Sequence, residues 1–194
     1  MIIKKLAVWP LMANCFILGC EKTKEAAVID PGDETDRILL SLAELGLTVK
    51  YIINTHGHFD HVGGNKGLKE ATGADILINS LDAPMLSQLS VATSSFGLVT
   101  DNSPPPDQTI EDGDTISFGS ITLKVIHTPG HSQGGIALFT DGNLFVGDTL
   151  FAGSIGRSDL PGGDMNTLIS SIKNKLFVMD DAVRVFPGHG PETT

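Results

Sequence analysis

Thr55-His56-Gly57-His58-Phe59-Asp60-His61 decides how this chain is read. It follows almost directly on residues 49–53, Val-Lys-Tyr-Ile-Ile, whose length and composition are those of a short buried strand. Four side chains able to bind a metal fall within six positions, in the order H-x-H-x-D-H. On a strand-like backbone, His56 and His58 point the same way, so both reach one ion. The chain then turns toward a helix opened by Gly63-Gly64, and on that turn Asp60 and His61 reach a neighbouring ion. Imidazole nitrogen and carboxylate oxygen suit zinc, iron or manganese, and no cysteine accompanies them here.

Three further residues share the strand-end position of that loop. His131 follows the rigid turn Thr128-Pro129-Gly130, Asp148 follows Val146-Gly147, and His189 lies in Pro187-Gly188-His189-Gly190. Glycine beside each lets backbone approach closely. Convergence of these three on the first loop is the expectation. His127 is left out of the site as a strand-end residue bonded locally. Asp30, also at a strand end, is a candidate to orient a ligand from behind.

Around these points, strands and helices alternate. A hairpin is expected with its turn at residues 20–24 and its second strand at residues 26–29. Residues 34–45 carry helical spacing, with Gly46 as the stop. A second helix runs from Gly63-Gly64 through Ala71, followed by a strand at residues 75–78. Residues 80–107 are less regular: 83–89 read as helical, 94–97 and Pro104-Pro105-Pro106 as loop, and the whole as a surface segment able to lie over a site. Strands then follow at 116–118, 121–126, 136–140 and 144–146, with Asp141-Gly142 as a tight turn. Residues 165–176 read as helix and 183–186 as the last strand. The two halves echo each other, each running through paired strands to one that ends in an Asp (Asp30, Asp148). Two sheets packed face to face with helices outside would bury both sets of apolar strands, which predicts an α/β fold, a four-layered αββα sandwich.

The 194 residues are the length of one domain, so 1–194 is read as a single unit. A net charge of -10 argues against a nucleic-acid partner, which needs clustered Lys and Arg, and against docking on an anionic membrane surface. Cys15 and Cys20 are the only cysteines, too few for a disulfide framework, and the expected compartment is the cytoplasm. Lys4-Lys5 and the apolar stretch ending Leu18-Gly19-Cys20 superficially match a lipoprotein signal, but Trp9-Pro10 and Asn14 interrupt it.

The set H-x-H-x-D-H, His131, Asp148 and His189 resembles the metallo-β-lactamase superfamily. Gly147-Asp148-Thr149-Leu150-Phe151, with Gly153-Ser154-Ile155-Gly156-Arg157-Ser158-Asp159, is similar to its glyoxalase II-like branch in short form. The likeness runs nearly end to end. It implies that His56, His58 and His131 hold one metal, that Asp60, His61 and His189 hold a second, and that Asp148 bridges them. It further implies two divalent ions, zinc first and iron or manganese as alternatives. The expected reaction is hydrolysis of a small thioester, S-D-lactoylglutathione or a related hydroxyacylglutathione, by water activated between the ions. Asp60 and Asp148 thus carry catalytic as well as ligand roles. A thiolate, with a pKa of about 8.5, leaves with little help, whereas a lactam amine needs a proton donor, which favours thioesters.

Full-length glyoxalase II carries a C-terminal helical domain, with tyrosines and basic residues that grip glutathione. This chain ends at Thr194, and its one tyrosine, Tyr51, sits on the strand before the histidine loop, where a core role is expected. Arg157 stands where the longer enzymes use Lys and is a candidate for a substrate carboxylate, its alternative being an ion pair with Asp159. A mononuclear iron persulfide dioxygenase and a lactone or ester hydrolase of the same fold are the competing readings.

Overall fold

The computed structural model describes residues 1–94 and 97–194. The first sheet has six strands in sequence order: β1 (Ile2–Val8), β2 (Ala13–Gly19), β3 (Glu25–Ile29), β4 (Thr48–Ile53), β5 (Asp75–Ile78) and β6 (Gln108–Thr109). The first three pair antiparallel, and β3 to β6 pair parallel. Parallel neighbours need crossovers. These are helix α1 (Thr35–Leu45) between β3 and β4, and the short α2 (Phe59–Val62) with α3 (Asn65–Thr72) between β4 and β5. Gly46 ends α1 in the left-handed conformation that glycine adopts without penalty.

The second sheet is built from the meander β7 (Thr115–Phe118), β8 (Ile121–His127), β9 (Ile136–Thr140) and β10 (Asn143–Gly147). After the two-residue hairpin β11 (Leu150–Phe151) and β12 (Ser154–Ile155), strand β13 (Arg184–Pro187) returns parallel to β10 and completes the order β13-β10-β9-β8-β7. Asp141 and Gly142 both have positive φ, as the tight turn between β9 and β10 requires.

Side-chain alternation assigns the layers. On β2, β3 and β4, Leu18, Ile29 and Ile53 face the second sheet and meet Leu123, Val125, Leu138 and Phe145 there. Their neighbours Ile17, Val28 and Ile52 face outward and pack against Ile38 and Leu42 of α1 and Leu68 of α3. On the far side, Leu144, Val146 and Val185 meet Leu168 of α5 (Met165–Ser171) and Ile172 and Leu176 of the π-helical turn that extends it. Phe16, Phe145 and Phe186 tie the two sheets, with ring centroids 5.2 and 5.7 Å apart across the interface. The result is the expected αββα sandwich.

Two details differ from the sequence reading. Residues 2–19 form two strands rather than one arm of a single hairpin. The chain reverses at Trp9-Pro10-Leu11-Met12, where Trp9-Pro10 is cis and Met12 has positive φ. The reversal lets β2, buried along its whole length, lie inside the sheet under the cover of β1. The segment after Asn79 is more ordered than expected. It forms a 3-10 turn at Ala83–Gln88 and helix α4 (Leu89–Ser94), with Leu86, Leu89 and Thr93 buried. The loop expected at 94–97 includes Ser95 and Phe96, which lie outside the described residues. Cys15 and Cys20 are both buried and unbonded to each other. Among the described residues, no helix is long and apolar enough to cross a membrane.

Candidate metal centre

One edge of the sandwich collects the loops that leave the ends of β4, β8, β10 and β13. They bring His56, His58, Asp60, His61, His131, Asp148 and His189 together. Two groups form. In the first, the ligand atoms of His56, His58 and His131 lie within 4.8 Å of one another, and in the second those of Asp60, His61 and His189 do. Within them, His58 Nδ1 is 2.9 Å from His131 Nε2, His61 Nε2 is 3.3 Å from His189 Nε2, and His189 Nε2 is 3.2 Å from Asp60 Oδ2. Asp148 sits between the groups, with Oδ1 3.5 Å from His61 Nε2 and Oδ2 3.7 Å from His131 Nε2 and 3.5 Å from His189 Nε2.

Hydrogen bonds behind the histidines assign which nitrogen faces inward. Thr55 Oγ1 donates its one proton to Asp30 Oδ2 at 2.6 Å, so it can only accept from His56 Nδ1, 3.1 Å away. His131 Nδ1 donates to the Arg157 carbonyl at 2.7 Å, and His61 Nδ1 donates to Asp30 Oδ2 at 3.0 Å. Nε2 of His56, His61 and His131 is thereby turned to the centre. Asp30, Asp60 and Thr55 are buried with them. Asp30 also lies in a third group with His56 and His61, but its oxygens are occupied by the Thr55 amide and hydroxyl and by His61. Its carboxylate thus faces Thr55 and His61 from behind the two groups.

Backbone shape is tuned to the same end. Gly147 has φ +50° and lies so close to Thr55 Oγ1 that a side chain there would collide with it. At Gly188 a side chain would run into Asp148 Oδ1 and stand 2.8 Å from His61 Cε1. The last loop is held from the other sheet. Buried Asn14 donates from Nδ2 to the Pro187 carbonyl at 2.9 Å and the Gly190 carbonyl at 3.0 Å, while its amide donates to the Gly188 carbonyl at 2.6 Å.

Crowding so many titratable groups divides them by environment. Burial, reinforced by the charge of neighbouring histidines, pushes His56 well below its usual pKa and His58 down to about 4. For His61 burial works the same way but is outweighed by Asp148, Asp60 and Asp30, which lift it to about 10. His189 is raised, burial again being outweighed, by its bond to Asp60 and the charge of Asp148. Asp60 is held well below the ordinary carboxylate range, because His61 and His189 overcome the effect of its burial.

The residues fit a metal. His56 Nε2 and Asp148 Oδ1 are buried without a hydrogen-bond partner, and both belong to the centre. Orphaned buried polar atoms are costly and call for a ligand. A cage of five imidazoles and two carboxylates is an N/O donor set suited to divalent zinc, iron or manganese.

The remaining candidates fall outside the cage. The Arg157 side chain is 61% exposed and its guanidinium forms a two-bond pair with Asp159 at 2.7 and 2.8 Å, so its carbonyl rather than its charge touches the site. His127 bonds locally, its amide to Asp112 and its Nε2 to the Gln133 carbonyl, as expected. Tyr51 packs against the inter-sheet core. Thr55 was not singled out beforehand, although its place before His56 and one strand away from Asp30 was a usable signal. Asn14 read only as a break in an apolar run.

Comparison with known proteins agrees with this fold. Residues 8–189 match the profile of the metallo-beta-lactamase superfamily. The hydroxyacylglutathione hydrolase GloC of Haemophilus influenzae is 36% identical over 99% of this chain and 92% of its own length. The crystal structure of the BLEG-1 B3 metallo-beta-lactamase superposes with a TM-score of 0.93 at 32% identity, covering 100% of this chain and 94% of that one. That of TTHA1623 in a di-iron-bound form does so with 0.90 at 37% identity, covering 98% and 94%. With two sheets, flanking helices and a histidine-aspartate centre at one edge, the chain belongs to the metallo-β-lactamase superfamily of metal-binding hydrolases.

Proposed function

We propose that this protein is a binuclear metal-dependent hydrolase of a small thioester, with a hydroxyacylglutathione such as S-D-lactoylglutathione as the leading substrate. The observation that carries the reading is the pair of ligand groups with Asp148 between them. In this reading His56, His58 and His131 would hold one ion, Asp60, His61 and His189 the other, and Asp148 would be shared between them. Bound there, two divalent ions, zinc first and iron or manganese as alternatives, supply Lewis acidity and acidify water toward neutral pH. The di-iron form of TTHA1623 supports iron as a real alternative.

The chain's own residues do the rest. Thr55, Asp30 and the Arg157 carbonyl keep protons on Nδ1 of His56, His61 and His131, so the inward Nε2 atoms are the ones left to ligate, that of His61 once it gives up its second proton. Asp60, a carboxylate throughout the neutral range, accepts a hydrogen bond from His189 in the metal-free protein and could accept, rather than donate, a proton at the centre. Cleaving the C–S bond releases a thiolate that needs little protonation, which fits a centre without a dedicated acid. Arg157 is proposed to meet a substrate carboxylate by exchanging Asp159 for it. The similarity to GloC supports the thioester and glutathione assignment, and a cytoplasmic location accords with such a substrate.

A lactam-hydrolase reading draws on the likeness to BLEG-1. Purified protein with its metal content recorded should be offered S-D-lactoylglutathione and a chromogenic cephalosporin. Saturable thiol release with two ions per chain and little lactam turnover is expected. Lactam turnover alone would replace the substrate, and a single iron without thiol release would point to a mononuclear dioxygenase.

A further inference from the structure

Asp82 is a fully buried carboxylate with no part in the ligand set, and three donors converge on it. Its Oδ2 accepts from the Gly57 amide at 3.0 Å and the Ser132 hydroxyl at 2.7 Å, and its Oδ1 accepts from the Gly134 amide at 2.6 Å. Gly57 lies between His56 and His58, and Ser132 follows His131. One carboxylate therefore bonds both loops that carry the first ligand group.

The turn bearing Asp82 is itself fixed. Asn79, also buried, donates to the Ile110 carbonyl and to Glu111, each at 2.9 Å, and accepts from the Leu81 amide. The loops press on this turn without slack. A side chain at Gly57 would stand 2.8 Å from Met85 Cβ and 3.0 Å from the Asp82 carbonyl, and one at Gly134 would stand 2.7 Å from the Asp82 amide. His61 is held in addition by Asp30, which also bonds Thr55 beside His56, and the His189 loop is held by Asn14. Asp82 bonds Gly57 and the His131 loop, and His189 hangs from Asn14 instead.

We propose that Asp82 is a positioning residue for the first ligand group: it clasps the His56–His58 loop to the His131 loop and sets the spacing of their three metal-facing nitrogens. The proposal rests on the binuclear reading above. It predicts that loosening Asp82 weakens one metal position and spares the other, which a general loss of packing would not do.

The test uses zinc as the probe, by competition with a chelating dye, in two backgrounds. His189→Ala retains the first group intact, and His131→Ala retains the second. Asp82→Asn and the milder Ser132→Ala should each lower zinc affinity in the His189→Ala background, with about 10- to 100-fold expected for a lost outer partner. In the His131→Ala background affinity should not change. Should Asp82→Asn fail to fold, Ser132→Ala decides alone. In metal-free protein, amide exchange at Gly57 and Gly134 should accelerate in Asp82→Asn while β2 and β10 stay protected. Equal zinc losses in both backgrounds, or exchange rising uniformly, would overturn the role of Asp82 and leave the binuclear reading standing. Wild-type protein that takes up no zinc, iron or manganese would overturn the binuclear reading itself.

Discussion

Thr55 and His56, adjacent in sequence, are joined by a 3.1 Å hydrogen bond between Thr55 Oγ1 and His56 Nδ1, while the same hydroxyl donates to Asp30 at 2.6 Å. A hydroxyl placed this way acts as a one-way relay, because its single proton is already committed to the carboxylate. Thr55→Val keeps the shape and removes the relay. It should lower metal affinity by about 10- to 100-fold, as lost outer partners do, and Thr55→Ser should restore most of it. Metal titration of the two variants checks this, and equal behaviour of Val and Ser would count against the relay.

Among the described residues, Asp148 is the one carboxylate within ion-pair distance of histidines from both groups. Asp148→Ala should therefore abolish turnover and reduce the metal content from two ions per chain to one or none. Elemental analysis beside the activity assay reads both effects. Retained turnover would show that Asp148 is no bridge.

Gly188 passes directly beside Asp148 and His61. Gly188→Ala adds a methyl where no void exists, and its φ lies outside the left-handed region, so the strain is steric alone. The expected outcome is lost metal content with the sandwich intact by circular dichroism. Overpacking of this kind typically costs about 1–3 kcal/mol.

The metal-free protein should have an unusual pH profile. His61, lifted from 6.5 to about 10, contributes stability that is fully present below its unfolded pKa and is lost as pH rises toward 10. His56 and His58, pushed down, act in the opposite sense, since folding must keep them neutral as pH falls below 6.5. Stability of chelated protein should thus peak near pH 6.5 and decline on both sides. Metal binding requires His61 to give up its inward proton, so the loaded protein should lose the alkaline decline. Thermal melts of both forms from pH 5 to 10 test this, and an alkaline decline that persists in the loaded form would contradict it.

Most of the fold could be read from the sequence because apolar periodicity and glycine punctuation coincide here. Gly46 closes α1 where expected, and β5 occupies the anticipated residues 75–78. The reversal at residues 9–12 escaped although Trp9-Pro10 interrupts the apolar run there, because the turn carries no glycine and its positive φ falls on Met12. The cage was legible because its residues are chemically conspicuous. Its supports were not: Asn14 reaches Pro187 and Gly190, and Asp82 reaches Gly57, Ser132 and Gly134, across separations that only the folded chain makes short. Arg157, conspicuous in sequence, is turned toward Asp159 at the surface.

The parallel return of β13 beside β10 has a consequence for how the protein comes into being. During synthesis the H-x-H-x-D-H loop emerges early, yet His189 joins it only when β13 has threaded along β10 and Asn14 has caught the loop beyond it. In the proposed binuclear centre the group of His56, His58 and His131 could form before β13 pairs, whereas the group that includes His189 would be completed only once both halves of the molecule have found each other.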